Sequence, residues 1–284
     1  MQTSNKHIFI VTYDYPPSNG GIARLCFELK KYLEKKGLNV TVICPQSTST
    51  DAEEDNNVVR LHGRRGILEL RTLKYLRKKT VPGDIVITGN YHPEGMLSLL
   101  SNRETYILAH GAEYLAGKSF FRRCIWPTYR RFILRNASCV IANSHYTETL
   151  VKHCSPNAKT IAIPLAVDAI HFRPTCEKYK DGLLHLCSIS RLEKFKGHDF
   201  IIRTIASLPA KYKQQVRLHL GGKGKYKSAL ERMVTDLGLS DIVSFEGFID
   251  DNKLCDFYSA SHIFILCTVS YTHLRAHETR GNLV

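Results

Sequence analysis

The sequence predicts an α/β protein built as two tandem Rossmann-like β/α/β domains, on three observations. Short β-rich runs alternate with longer helical patterns from the first residues onward, the rhythm of parallel β/α folds. A second series of the same kind starts after a proline-containing stretch in mid-chain. The length, 284 residues, exceeds the roughly 100 to 200 of one domain.

The first series places strands at 7–13, 39–44, 58–61, 84–88, 105–109 and 138–142, each apolar enough for a sheet covered on both faces and therefore parallel. Between the first two, Ile22, Leu25, Leu29 and Leu33 recur at helical spacing, and Gly37 stands where a helix C-cap belongs. Pro164 and Pro174 bias their predecessors away from helix, which marks 163–174 as an interdomain connection. The expected domains are 1–170 and 171–268. The second holds strands at 184–189, 216–220, 242–245 and 262–266 and helices at 197–207, 225–237 and 251–260. Ile263 to Cys267 reads as a buried strand. In such sheets ligands bind at the carboxyl ends of the strands.

Composition narrows the class. Hydrophobic residues make 43% and charged residues 23%, as in soluble globular proteins. No run approaches the roughly 18 apolar residues of a spanning helix, and the first residues lack a signal peptide's apolar stretch. The nine cysteines stand singly, mostly among apolar neighbours, which fits reduced cytosolic thiols rather than a metal site. A net charge of +14 draws the surface towards phosphate-bearing partners. Much of the excess lies in two helical-looking segments, 64–79 and 118–135.

Three loops between a strand and a helix are candidates for chemistry. Asp14-Tyr15-Pro16-Pro17-Ser18-Asn19-Gly20-Gly21 leads into the first helix, where paired glycines and a helix N-terminus suit an anion. Gly221-Gly222-Lys223-Gly224-Lys225 is similar but lacks Walker spacing, and no G-x-G-x-x-G follows any strand. In Ser190-Arg191-Leu192-Glu193-Lys194-Phe195-Lys196-Gly197-His198, Arg191 offers a planar fork for phosphate and Lys196 a mobile charge at a helix start.

Taken with Ala109-His110-Gly111-Ala112-Glu113, Ala142-Asn143-Ser144-His145-Tyr146-Thr147, the stretch 163–174 and Val243-Ser244-Phe245-Glu246-Gly247-Phe248-Ile249, these loops resemble a family-4 glycosyltransferase over roughly residues 7 to 267. The resemblance implies the GT-B fold, a retaining hexosyl transfer from a nucleotide-diphosphate sugar to a glycan or lipid-linked acceptor, and no metal or resident cofactor. It also implies roles. Gly20 and Gly21 would lie beside the diphosphate and acceptor, and His110 near the transferred sugar. Arg191 and Lys196 would bind the donor diphosphate, with Gly222, Gly247 and Phe248 near the phosphates and base. The first domain would face the acceptor and the second the donor.

The chain departs from the family pattern at its end. The resemblance calls for an E-x7-E segment soon after residue 266, yet Glu278 is the only acid after Asp256. The run 269–284 resembles translated sequencing-adapter read-through, so a truncated, inactive copy with a non-native tail is expected. In the basic segments, Arg122, Arg123, Trp126, Arg130 and Arg131 are candidate contacts to an anionic membrane, which suits a cytoplasmic protein peripheral on the inner face of the cell membrane. Two other classes compete: a two-domain nucleotide-binding oxidoreductase and a non-enzymatic polyanion binder. On the leading reading no nucleic acid is a partner.

Overall fold

The computed structural model describes residues 6–18, 20–46, 55, 57–114, 125–167, 169–170 and 172–267. The chain forms two compact units, Met1–Leu165 and Ala166–Val284, divided inside the proline-containing connection and earlier than residue 170.

In the first unit, strands β1 (Ile8–Val11), β2 (Val40–Pro45), β3 (Val58–Leu61), β4 (Ile85–Thr88), β5 (Glu104–Ala109), β6 (Cys139–Ala142) and β7 (Thr160–Ala162) form one sheet in the order β3-β2-β1-β4-β5-β6-β7. Every pairing is parallel. Its helices are α1 (Gly21–Lys35), α2 (Ile67–Lys79), α3 (Met96–Leu100), α4 (Trp126–Asn136) and α5 (His145–Cys154). Strand alternation divides the core into two faces. Ile8 and Ile10 join Cys26, Val40 and Val42, against which Ile22, Leu25, Leu29 and Leu33 of α1 pack. Phe9 and Val11 point the other way, to Ile43, Val86 and Leu76 of α2. Gly37, at φ +78°, ends α1 by donating its amide to the Glu34 carbonyl.

Three features differ from the sequence reading. The strand β7 is too short and too exposed for an apolar run to announce it. The apolar residues Ile67, Leu68, Leu70, Leu73 and Leu76 alternate with basic ones as in an amphipathic helix with one cationic face. Yet on α2 only Leu68, Thr72 and Leu76 are buried, and Ile67 and Leu70 are 53% and 69% exposed. The 262–267 run is not a buried strand. Among the described residues its paired part, β11 (Ile263–Phe264), is an edge strand joined only to β8 (Leu184–Ile189), and both its residues are about half exposed. The residues that do reach the core are Ile265 and Cys267, beyond the pairing.

The second unit adds β9 (Val216–Gly221) and β10 (Val243–Gly247) in the parallel order β10-β9-β8-β11, with α6 (His198–Ala206), α7 (Ala210–Lys213), α8 (Lys227–Asp236) and α9 (Asp251–Ala260). Leu186, Leu218 and Leu220 bury one sheet face against Ile201, Ile202 and Ile205 of α6 and Leu230 and Val234 of α8. On the other face His185, His219 and Tyr179 stack, with Tyr179 and His185 ring centres 3.9 Å apart.

Candidate functional site

In the first unit the residues of interest gather at the carboxyl ends of adjacent strands β1, β4 and β5. Gly20 is the N-cap of α1 in extended backbone, so its φ does not demand glycine; space does. A Cβ there would stand 2.2 Å from Asp14 Oδ2. Around Gly21 a Cβ would meet nothing within 4 Å, which leaves the start of α1 open to an anion.

His110 ends β5 and is held three ways. Its Nε2 lies 2.7 Å from the Gly89 carbonyl, its amide donates to Glu113 Oε1 at 2.6 Å, and its carbonyl accepts from Asn143 Nδ2 at 3.3 Å. Since a carbonyl only accepts, Nε2 carries the proton, and in the neutral ring Nδ1 is left as an acceptor. Gly111 follows at φ +110°, a conformation that favours glycine.

Beside them lies a residue the sequence reading missed. Glu94, in the turn after β4, is 4% exposed, and burial pushes its carboxyl up to about 7. Its Oε1 accepts the Tyr13 amide at 3.1 Å, while Oε2 has no partner. Nothing in Tyr91-His92-Pro93-Glu94-Gly95 signals burial.

In the second unit two loops are laced together by main-chain bonds at the carboxyl ends of β8 and β9. The Ser190 amide donates to the Gly221 carbonyl at 3.1 Å, and the Leu192 amide to the Lys223 carbonyl at 2.9 Å. A Cβ on Gly222, at φ +129°, would lie 1.9 Å from the Ser190 carbonyl oxygen, and one on Gly224 would lie 2.2 Å from that of Leu192. Close main-chain approach therefore requires both glycines. β10 reaches the same rim. Gly247 pairs with Gly221 after a bulge, and its carbonyl accepts the Gly222 amide at 2.5 Å.

Arg191, exposed, and Lys196, half-buried, flank this rim on the β8–α6 loop. Gly197 at φ +73° turns the chain into α6 where a Cβ would lie 2.0 Å from the Cys267 carbonyl oxygen. His198 behind it is fully buried, its Nε2 3.2 Å from Ser190 Oγ, and burial lowers its pKa. Phe248 is 52% exposed, and Lys223 Nζ stands 5.3 Å from its ring centre. Thus Arg191, Lys196, Gly222, Gly247 and Phe248 share one rim. Lys223 joins them, a position the sequence reading assigned no role.

The membrane candidates divide. Arg122 and Arg123 lie outside the described residues, as does the 269–284 run. Arg130 turns inward, donating to the carbonyls of Glu113 at 3.3 Å and Tyr114 at 3.1 Å, and Trp126 donates to the Tyr91 hydroxyl at 2.7 Å. Both are held by the unit itself. Arg131 is exposed, with Arg135 one turn along and Phe132 54% exposed. No described helix is long and apolar enough to cross a membrane, and among the described residues no cluster of three His, Cys, Asp or Glu could hold a metal ion. The described cysteines are free.

Residues 19–170 match the family described as Glycosyltransferase Family 4, and residues 177–274 match Glycosyl transferases group 1. The chain is 24% identical to the alpha-monoglucosyldiacylglycerol synthase of Streptococcus pneumoniae, over 93% of this chain and 66% of that protein. It is also 24% identical to the GDP-mannose-dependent alpha-(1-6)-phosphatidylinositol monomannoside mannosyltransferase of Mycobacterium tuberculosis, over 91% of this chain and 72% of that one. Among solved structures, the sucrose-phosphate synthase of Thermosynechococcus elongatus superposes with a TM-score of 0.75 at 20% identity, covering 93% of this chain and 75% of that one.

Proposed function

The chain belongs to glycosyltransferase family 4, and from that premise we propose that it moves a hexose, with retention, from a nucleotide-diphosphate sugar to a glycan or lipid-linked acceptor. The observation that carries the reading is the laced rim of the second unit. There main chain is bared at Gly247, where a Cβ would meet nothing within 4 Å, beside Gly222 packed on the Ser190 carbonyl, two cations, Arg191 and Lys196, and an exposed aromatic ring, Phe248. Bared main chain and a guanidinium fork suit a diphosphate, and the ring suits a base.

In this reading Arg191 and Lys196 take up the negative charge that grows on the leaving diphosphate as the sugar bond breaks, with no metal or resident cofactor. Gly247 lets the phosphates approach, Gly222 lets the two loops close on one another beneath them, and Phe248 stacks on the base. In the first unit His110, fixed by Gly89, Glu113 and Asn143, offers Nδ1 to the transferred sugar, and Gly20 and Gly21 open the start of α1 beside the acceptor and diphosphate. The first unit is thus the acceptor side and the second the donor side.

Both relatives named above carry glycolipids in their names, which supports a lipid-linked acceptor for surface glycan or glycolipid synthesis. Exposed Arg131, Arg135 and Phe132 support a peripheral seat on the inner face of the cell membrane.

Calorimetric titration with UDP-glucose and GDP-mannose tests the donor side, and release of nucleoside diphosphate in the presence of extracted membrane lipids tests transfer. One donor should bind, and Arg191→Ala should weaken it about 10- to 100-fold, the value of a hydrogen bond to a charged group. Binding of neither donor, or equal binding by Arg191→Ala, overturns the proposal.

A further inference from the structure

A cavity of about 250 Å³ opens at the carboxyl ends of β1, β2 and β3, walled by Tyr13, Tyr15, Ser18, Gln46 and Arg60. Two of these side chains have capacity that the protein does not use. Tyr15 is 7% exposed, and its buried hydroxyl has no hydrogen-bond partner. Leaving such a group unpaired is unfavourable, so a partner supplied by a ligand has a ready advantage.

Arg60 is the second. Of the five N–H groups on a guanidinium, one reaches the Pro16 carbonyl at 2.9 Å and one makes a long contact of 3.8 Å to Cys44 Sγ. No carboxylate pairs with Arg60 among the described residues. The acids around the loop are engaged elsewhere: Asp55 with Lys30 at 2.7 Å, Asp14 with the Ser18 hydroxyl, and Glu94 with the Tyr13 amide. Burial raises the Tyr15 pKa and keeps its hydroxyl a donor. The cavity thus presents a planar cation and a buried O–H donor, and the two acids whose field reaches Tyr15, Asp55 and Glu34, are both paired with Lys30, at 2.7 and 2.8 Å.

We propose that this cavity binds the phosphate of a phosphorylated acceptor, with Arg60 as the bidentate partner and Tyr15 as the buried donor. Calling the ligand an acceptor rests on the glycosyltransferase reading; the phosphate site itself rests on the cavity. Its volume suits one phosphate with the small polyol that carries it, and the glycine-opened start of α1 belongs to the same β1–α1 connection.

Titration calorimetry of the whole chain tests it with four probes: inorganic phosphate, glycerol 3-phosphate, glycerophosphoglycerol and uncharged glycerol. The phosphate compounds should bind and glycerol should not. A preference for glycerol 3-phosphate assigns the site to monoesters, and one for glycerophosphoglycerol to diesters such as lipid headgroups; either supports it. Tyr15→Phe should weaken phosphate binding about 5- to 10-fold, and Arg60→Gln about 10-fold or more, with Arg60→Lys between. Because Arg60 also holds the Pro16 carbonyl, its variants are read beside melting curves, whereas Tyr15→Phe removes no protein contact and should melt like wild type. Wild-type phosphate binding by Tyr15→Phe and Arg60→Gln, or glycerol binding as tightly as its phosphate, overturns the proposal. UDP binding should be unchanged in both variants. Phosphate binding that depends on Arg60 without any sugar transfer would leave the cavity standing and remove the activity.

Discussion

The Glu94 carboxyl accepts the Tyr13 amide at 3.1 Å across neighbouring strand ends, and its second oxygen faces no partner. Unfolded, this carboxyl would release its proton near 4.5; folded, burial holds it to about 7. The folded state therefore binds a proton that the unfolded state gives up, and the stability Glu94 contributes is full below about 4.5 and lost as pH rises through about 7. Glu94→Gln keeps the acceptor for Tyr13 without the ionisation. It should exceed wild type by about 2–3 kcal/mol at pH 8 and match it near pH 4, by urea unfolding at both values. An equal difference at both pH values would sink the account.

Gly222→Ala and Gly21→Ala should behave oppositely. The first places a methyl 1.9 Å from the Ser190 carbonyl oxygen on a backbone at φ +129° and should destabilise the second unit by about 3 kcal/mol or more while abolishing nucleotide binding. The second meets nothing within 4 Å and should stabilise the first unit by about 0.5–1 kcal/mol. Differential scanning calorimetry of both variants decides between them.

These glycines show what could be read in advance. That the 221–224 loop matters was visible from its two closely spaced glycines after an apolar strand. Which main-chain atom each one admits was not, because Ser190 and Leu192 come from the neighbouring strand's loop. The same holds for the strands. Apolar runs announced β1, β2, β8 and β9, most of whose residues are buried, but not β7, where none is. In 262–267 the apolar residues suggested burial, and the edge position of β11 left Ile263 and Phe264 half exposed instead. Glu94, Tyr15 and Arg60 were illegible for one reason: a polar side chain gives no local sign of being enclosed by strands distant in sequence.

The basic helix α4 yields a sharper test than its charge alone. Arg131→Glu with Arg135→Glu should weaken binding to phosphatidylserine vesicles by about 1 kcal/mol per charge removed, while melting like wild type. Arg130→Glu should instead lower the melting temperature, because Arg130 holds the carbonyls of Glu113 and Tyr114. Cosedimentation with vesicles and thermal melts separate the two effects. Unchanged sedimentation of the double variant would return α4 to a purely structural role.

Across the second sheet's other face, His185 bonds His219 at 2.9 Å and Asp181 at 3.0 Å while stacking on Tyr179. His185→Phe preserves the stack and removes both bonds. It should cost the second unit about 1–3 kcal/mol, and Asp181→Asn in the same background should add little, since its side-chain partner is already gone and Asn keeps an acceptor for the Leu183 amide. Additive losses in a double-mutant cycle would show that the two residues act independently.

Where β9 and β10 meet at their carboxyl ends, glycine faces glycine, and the lip of the second unit is main chain with no side chain to exchange. Random substitution or directed evolution can alter a pocket only through side chains, so this lip is closed to gradual retuning. Any change in which nucleotide is preferred must come from positions beside it, above all Phe248, Lys223 and Arg191. A library confined to those three sites should therefore shift base preference, whereas one at Gly222, where a Cβ would lie 1.9 Å from the Ser190 carbonyl oxygen, should return only unfolded or inactive protein.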